Sequence, residues 1–294
     1  MTRSARTRIS EQNISRREAL TFAAAFGAGT WSARASAQAT APTLLPLQAV
    51  GLEHLGMTVP DPKAVAEFYG RIFDPQLFQE KDPPPRYYVR LGTAYIAIGG
   101  AGDPRSGGNP NQAPSIDHFD VLVRDYKAQE IRSALIQAGA TQEAGRFGLP
   151  MDPDGIRLQV SGAPGGLTRT VIPSTRISSD DAAIQAVDLD HIVLTVADLE
   201  RSSAYYSKVF GLPVLRAKKP DRIWFGVGRT RLALEPVGAA SKPAIARVCV
   251  KIAGFDRHAT LEKLKKLGVE VMPLNYERLV RFGDPNGFIF ELSA

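Results

Sequence analysis

The chain of 294 residues is 44% apolar and 22% charged, the balance of a globular protein long enough for two cores. Its formal charge of +6 is unevenly placed: residues 1–37 hold six Arg and two acids, a net +4, leaving 30 Lys and Arg against 28 Asp and Glu, a net +2. A body so near neutrality lacks the basic footprint of a nucleic-acid binder, and the single cysteine, Cys249, excludes an intramolecular disulfide.

Residues 1–37 read as an export signal. A basic start leads through Ser15-Arg16-Arg17 into an uncharged, alanine-rich stretch from Ala19 to Ser32, and Ala35-Ser36-Ala37 offers the small residues a signal peptidase needs. The stretch is too short and too weakly apolar for a membrane span. The paired arginines resemble the twin-arginine export signal, with Ala19 where that motif usually has Phe. A periplasmic or secreted protein is expected.

Four copies of one pattern follow. The first opens on a strand, Leu52-Glu53-His54-Leu55-Gly56-Met57-Thr58-Val59. Asp61 as N-cap and Pro62 at the first helical position start a helix whose Val65, Phe68, Tyr69 and Ile72 share a face. Gly92 to Gly99 closes the copy as a strand. After a loose stretch from Gly99 to Ser115, the second copy opens on Ile116-Asp117-His118-Phe119-Asp120-Val121-Leu122-Val123. It ends on the turn Asp152-Pro153-Asp154-Gly155 and a strand from Ile156 to Val160. Residues 163–186 are rich in Gly, Pro, Ser and Thr, the composition of a linker.

The third copy, from Leu189-Asp190-His191-Ile192-Val193-Leu194-Thr195-Val196, matches the first at an offset of 137, with Asp198, Tyr206 and Phe210 standing for Asp61, Tyr69 and Phe73. Its closing strand, Gly228 to Glu235, answers Gly92 to Gly99. The fourth, from Ile245-Ala246-Arg247-Val248-Cys249-Val250-Lys251-Ile252, matches the second at an offset of 129 as far as Gly139 against Gly268, and ends on Asp284-Pro285-Asn286-Gly287 and a strand to Leu292. Copies one and two predict a domain at 48–162, and copies three and four another at 187–293. Three of the four histidines occupy one register, where the fourth copy has Arg247; His258, on a helix, reads as surface.

Strand side chains alternate, so each opening strand has an apolar row, such as Leu55, Met57 and Val59, and a mixed row, such as His54, Gly56 and Thr58. Arg157 and Gln159 likewise face away from Ile156, Leu158 and Val160. Burying unpartnered polar groups costs about 2–7 kcal/mol each. Polar residues repeated at one register therefore imply a cavity holding partners, water or a ligand.

This arrangement resembles the vicinal oxygen chelate superfamily, the glyoxalase, bleomycin-resistance and extradiol dioxygenase group, across nearly the whole chain after the signal. The resemblance implies an α+β fold of four βαβββ modules, paired into two cup-shaped mixed-sheet domains with ligand positions on the first and last strands of each module. Carried over, those positions are His54, Gly99, His118 and Gln159 in the first domain, and His191, Glu235, Arg247 and Glu291 in the second. The first set is similar to a two-histidine, one-carboxylate site with Gln159 in the carboxylate's place, and Asp120 stands nearby as an extra ligand, support or catalytic base. In the second, a guanidinium repels a cation and binds carboxylates. Arg247, with Arg231 and Lys251, is expected to neutralise Glu235 and Glu291, and a metal held by His191, Glu235 and Glu291 is the other reading.

The resemblance implies a divalent metal (Fe, Mn, Zn or Ni) at His54, His118 and Gln159, with a cup lined by water or ligand and holding no metal as the other reading; Tyr88, Arg90 and Tyr95 are candidate lining residues. It implies an exported enzyme acting on a small-molecule substrate with vicinal oxygens, by ring-cleaving oxygenation or by glyoxalase or lyase chemistry. The rivals are a non-catalytic periplasmic binding protein of the bleomycin-resistance type, and a domain whose catalysis has lapsed and whose sheet serves dimer formation. Monomer and homodimer are both compatible with two cups on one chain.

Overall fold

The structure, a computed structural model, describes residues 44–73, 76–106, 108–142, 148–162, 171–176, 184–239, 241–274 and 276–294. The export signal expected at 1–37 lies outside them. The first module runs β1 (Ala49–Val59), α1 (Pro62–Ile72), β2 (Gln76–Glu80), β3 (Tyr87–Leu91) and β4 (Ala94–Gly100). The second runs β5 (Ser115–Val123), α2 (Ala128–Ala138), β6 (Thr141–Gln142), β7 (Pro150–Met151) and β8 (Arg157–Ser161). After β9 (Val171–Arg176), the third runs β10 (Ala186–Val196), α3 (Leu199–Phe210), β11 (Leu215–Lys218), β12 (Asp221–Val227) and β13 (Thr230–Pro236). The fourth comprises β14 (Ala244–Ile252), α4 (Arg257–Lys266), β15 (Val271–Met272), β16 (Val280–Gly283) and β17 (Ile289–Ser293). This is the α+β fold of four βαβββ modules.

Each sheet joins two modules by antiparallel pairing of their opening strands, β1 with β5 and β10 with β14. Each closing strand then lies parallel to its module's opening strand: β4 on β1, β8 on β5, β13 on β10 and β17 on β14. So opening and closing strands meet in the middle of each sheet, which brings the ligand register of both modules together. The second sheet has eight strands and the first nine, because β9 pairs antiparallel with β2 at the edge. That strand lies inside the stretch expected to be linker. Composition over the whole stretch hides Val171, Ile172 and Thr175, which suit a strand, and Pro173 is tolerated because the strand is at an edge.

The helices form where their caps dictate. The Asp61 carboxylate accepts from the Ala64 N–H at 3.0 Å and Pro62 opens α1, while Asp198 caps α3 by accepting from the N–H groups of Glu200 and Arg201. Val65, Tyr69 and Ile72 of α1 are buried. The apolar rows of the strands pack beneath: Leu55, Met57, Val59, Phe119, Val121, Ile192, Leu194, Val248 and Phe290 belong to one core running through both sheets. Burying each such side chain contributes about 1.5–3 kcal/mol. The opposite faces hold the polar rows. His258 is exposed, and among the described residues no helix is long and apolar enough to cross a membrane.

Candidate metal centre in the first cup

The two histidines of the first sheet meet. His54 on β1 and His118 on β5 place their Nε2 atoms 3.1 Å apart, with the rings nearly perpendicular at 89°. The backbone explains why. Gly56 lies opposite His118 in the ladder, and a Cβ at Gly56 would fall 1.9 Å from the His118 ring. Only glycine leaves room for that imidazole. Tyr95, beside His54 on β4, stacks on the His54 ring at 4.7 Å and holds it from the other side.

Each histidine also carries its own carboxylate. His54 Nδ1 lies 2.5 Å from Glu53 Oε2, and His118 Nδ1 is hydrogen-bonded to Asp117, which accepts a second bond from Thr58 Oγ1 at 2.8 Å. Adjacent residues on a regular strand face opposite ways, but here the ladder slips. The pairing steps from Leu52 to His54 and from His118 to Ile116, passing over Glu53 and Asp117. These are β-bulges, and a bulge turns its extra residue towards its neighbour's face. The sequence signal was an acid immediately before each histidine, which a reading by alternation assigns to the wrong face.

The tautomers follow from these bonds. With both Nδ1 protons committed to carboxylates, neutral imidazoles expose bare Nε2 lone pairs, and two lone pairs aimed at each other repel. A shared cation or an added proton resolves that. Burial holds His118 below the usual histidine range in spite of Asp117, which disfavours the added proton. Two nitrogens bound to one ion at about 2.0–2.1 Å stand roughly 3.0–3.4 Å apart, the separation observed. The residues present fit a divalent ion.

Asp120 and Gln159 lie side by side on β5 and β8. Asp120 is fully buried; its Oδ1 accepts from Ser161 Oγ at 2.8 Å, and its Oδ2, 3.7 Å from His54 Nδ1, has no hydrogen-bond partner among the described residues. Burial raises its carboxyl to about 6, with His54 opposing. Glu53, His54 and Asp120 together form a metal-competent cluster. A cavity of about 320 Å³ opens onto this wall, lined also by Arg86, Tyr88 and Tyr95. Tyr88 donates to Glu80 at 2.7 Å. Arg90, a candidate lining residue, is instead exposed and covers the Phe78 ring. Gly99, opposite Thr58 near the end of β4, brings no side chain to the site.

The second cup is built differently. Arg247 meets Glu235 Oε1 at 2.5 Å and lies 3.9 Å from Glu291, so it bridges both glutamates as expected. Its helpers are Arg222 and Arg281, however, and not Arg231 and Lys251. Arg231 lies across from His191 in the ladder and reaches Asp190 at 2.5 Å, while Lys251 is exposed. His191 Nδ1 lies 2.5 Å from Asp190 and its Nε2 3.6 Å from Glu291. Burial alone would lower His191; Asp190, Cys249 and Glu291 outweigh it and raise the imidazole to about 10. Burial would likewise raise Glu291, but His191 and Arg281 bring it to about 2. Asp190, His191 and Cys249 lie close enough to form a cluster, yet an imidazolium amid guanidinium groups does not offer a cation a home.

Residues 188–292 match the model of the Glyoxalase/Bleomycin resistance protein/Dioxygenase superfamily. The second domain belongs to this superfamily. Solved structures share the fold over both sheets. The 2,3-dioxygenase LapB from Pseudomonas sp. KL28 is similar at TM-score 0.63 and 17% identity, over 84% of this chain and 93% of that one. A Mn(II)-bound glyoxalase from Novosphingobium aromaticivorans is similar at TM-score 0.56 and 15% identity, over 84% and 82%. An extradiol ring-cleaving dioxygenase from B. fuscum follows at TM-score 0.58 and 13% identity, over 86% and 74%. At such identities these matches establish a shared fold.

Proposed function

We propose that the first cup holds a divalent metal and that the protein is a metal-dependent enzyme acting on a small, flat substrate with vicinal oxygens. The observation that carries this reading is the pair of Nε2 atoms 3.1 Å apart, each on an imidazole whose Nδ1 is already committed to a carboxylate. His54 and His118 would hold the ion, with Gln159 beside them. When bound, a divalent ion there supplies Lewis acidity, drawing negative charge onto the substrate's vicinal oxygens. Glu53 and Asp117 keep both imidazoles oriented and electron-rich. Tyr88 and Tyr95 give the cavity an aromatic wall, and Arg86 gives it a cationic rim. Asp120, with a carboxyl near 6, is poised to accept a proton close to neutral pH. Ring-cleaving dioxygenation of an aromatic vicinal diol is the preferred reaction, in keeping with the dioxygenases that share the fold. Glyoxalase-type isomerisation is the second.

Elemental analysis of the purified chain tests the reading. We expect one equivalent of a transition metal, lost in His118→Ala and retained in Arg247→Ala. Oxygen uptake with catechol, against isomerisation of a hemithioacetal, then separates the two reactions. Metal absent even after reconstitution, or lost in Glu291→Gln, would sink the assignment. Export is part of the same proposal and rests on Arg16-Arg17 and the alanine-rich stretch after them. Replacing both arginines by lysine should trap the protein in the cytoplasm, as fractionation would show.

A further inference from the structure

The second cup carries more positive charge than its own carboxylates absorb. Arg222 Nε lies 2.6 Å and Arg247 Nη2 2.5 Å from the same Glu235 oxygen. Arg281 places Nε at 2.9 Å and Nη2 at 2.5 Å on one oxygen of Glu291, the oxygen that Arg247 Nε faces at 3.9 Å. Three guanidinium groups therefore share two carboxylates. Arg231 does not relieve the imbalance, because its partner Asp190 is already shared with His191.

The first cup differs from the second at matching positions in the register. Opposite the opening histidine of each sheet stand Tyr95 in the first and Arg231 in the second. Opposite Gly56 and Val193 stand His118 and Arg247, and opposite the two histidines on the other side stand Asp120 and Cys249. Where the first sheet has an imidazole the second has a guanidinium, and where the first has a carboxylate the second has a thiol. Both differences shift the charge towards positive, while Glu235 and Glu291 stand where the first cup has Gly99 and Gln159 and add two carboxylates, fewer than the arginines gathered around them.

Among the described residues, Arg247 meets acceptors only at Glu235 and Glu291. A guanidinium has five N–H donors in a fixed fork, so among the described residues most of those on Arg247 meet no acceptor. The side chains of Arg222, Arg247 and Arg281 are all partly buried, where an unpaired cation is poorly screened. One member of the cluster, Arg222, is also braced by an aromatic ring. Arg222 and Arg231 lie over the Trp224 ring at 5.3 and 5.1 Å, and the His191 ring packs edge-on against it at 4.9 Å.

We propose that the second cup is a binding site for a small oxyanion, a carboxylate or phosphate group on a small molecule, held by Arg222, Arg247 and Arg281. The fork of N–H groups on each guanidinium matches the paired oxygens of either group. The site is separate from the first cup and needs no metal. The imidazolium character of His191 adds to the attraction.

Isothermal titration of the full chain at low ionic strength, with acetate, benzoate and inorganic phosphate as probes, tests this. Saturable one-to-one binding of at least one probe is expected, weakened at least tenfold in Arg247→Gln. Glu235→Gln removes an internal competitor for Arg222 and Arg247 and should tighten the same probe several-fold, a gain that mere disruption would not produce. His118→Ala in the first cup should show the wild-type anion affinity, and the preference between phosphate and the carboxylates assigns the oxyanion. The proposal is overturned if no probe binds saturably, if affinity survives Arg247→Gln, if it falls in Glu235→Gln, or if it is lost in His118→Ala.

Discussion

Asp120 places a stability cost in the wall of the first cup. Its carboxyl is fully buried, one oxygen is without a partner among the described residues, and burial lifts it from 3.8 to about 6. The sign follows. The folded chain holds this proton more tightly than the unfolded chain does, so the contribution is most favourable below pH 3.8 and declines as pH climbs to about 6. Above that the buried carboxylate is a standing cost of roughly 1–3 kcal/mol, at about 1.4 kcal/mol for each pKa unit. Asp120→Asn, compared with the wild type after metal removal, should therefore be more stable by that amount at pH 7, with the gain closing towards pH 4. Urea denaturation at the two pH values measures it. Equal stability at both would show that Asp120 is not held against its charge.

At the scale of elements, the repeat made the strands, helices, caps and faces legible, because alternation and N-cap chemistry are local. Asp61, Pro62, Tyr69 and Asp198 sit where the pattern put them. What stayed hidden were the bulges, since slippage between strands is a property of the pair and alternation along one strand does not reveal it. Glu53, Asp117 and Asp190 were therefore missed as partners of the histidines. Arg222 and Arg281 were missed because they come from β12 and β16, which alternation does not connect to the opening strands.

The fourth copy keeps the bulge, passing over Ala246 between Ile245 and Arg247, but has lost both acid and imidazole. Nor does a glycine face Arg247, because Val193 of the third copy stands there. If the bulged acid, the histidine and the facing glycine are what make a metal cup, then Ala246→Asp, Arg247→His and Val193→Gly together should rebuild one beside Glu235 and Glu291. Elemental analysis should then find a second equivalent of metal. A triple variant that folds and still binds a single equivalent would show that these three positions are insufficient.

The whole molecule is tied by a reciprocal pair of contacts between its domains. Tyr69 on α1 donates to Asp284 at 3.0 Å, and Tyr206 on α3 donates to Asp152 at 2.8 Å. Each aspartate opens the Pro-Asp-Gly or Pro-Asn-Gly turn before a closing strand, and its other oxygen already accepts two backbone N–H bonds of that turn. So a helix of one domain finishes the turn that sets a closing strand of the other, and those strands, β8 and β17, carry Gln159 and Glu291 into the two cups. The hairpin tips repeat the reciprocity. Gly92 packs its α-carbon against the Val187 carbonyl, and Gly228 does the same at Val50, with positive φ at both. Tyr69→Phe or Tyr206→Phe would leave a buried carboxylate oxygen short of its donor, at a cost of about 1–3 kcal/mol each. Because each tyrosine braces the turn before a closing strand of the other domain, and β8 carries Gln159, Tyr206→Phe should also loosen the metal proposed at the first cup, while Tyr69→Phe should not. Urea midpoints with metal titrations of both variants read the two effects together. Equal metal affinity in the two would confine the ties to stability and remove their role in placing the strands.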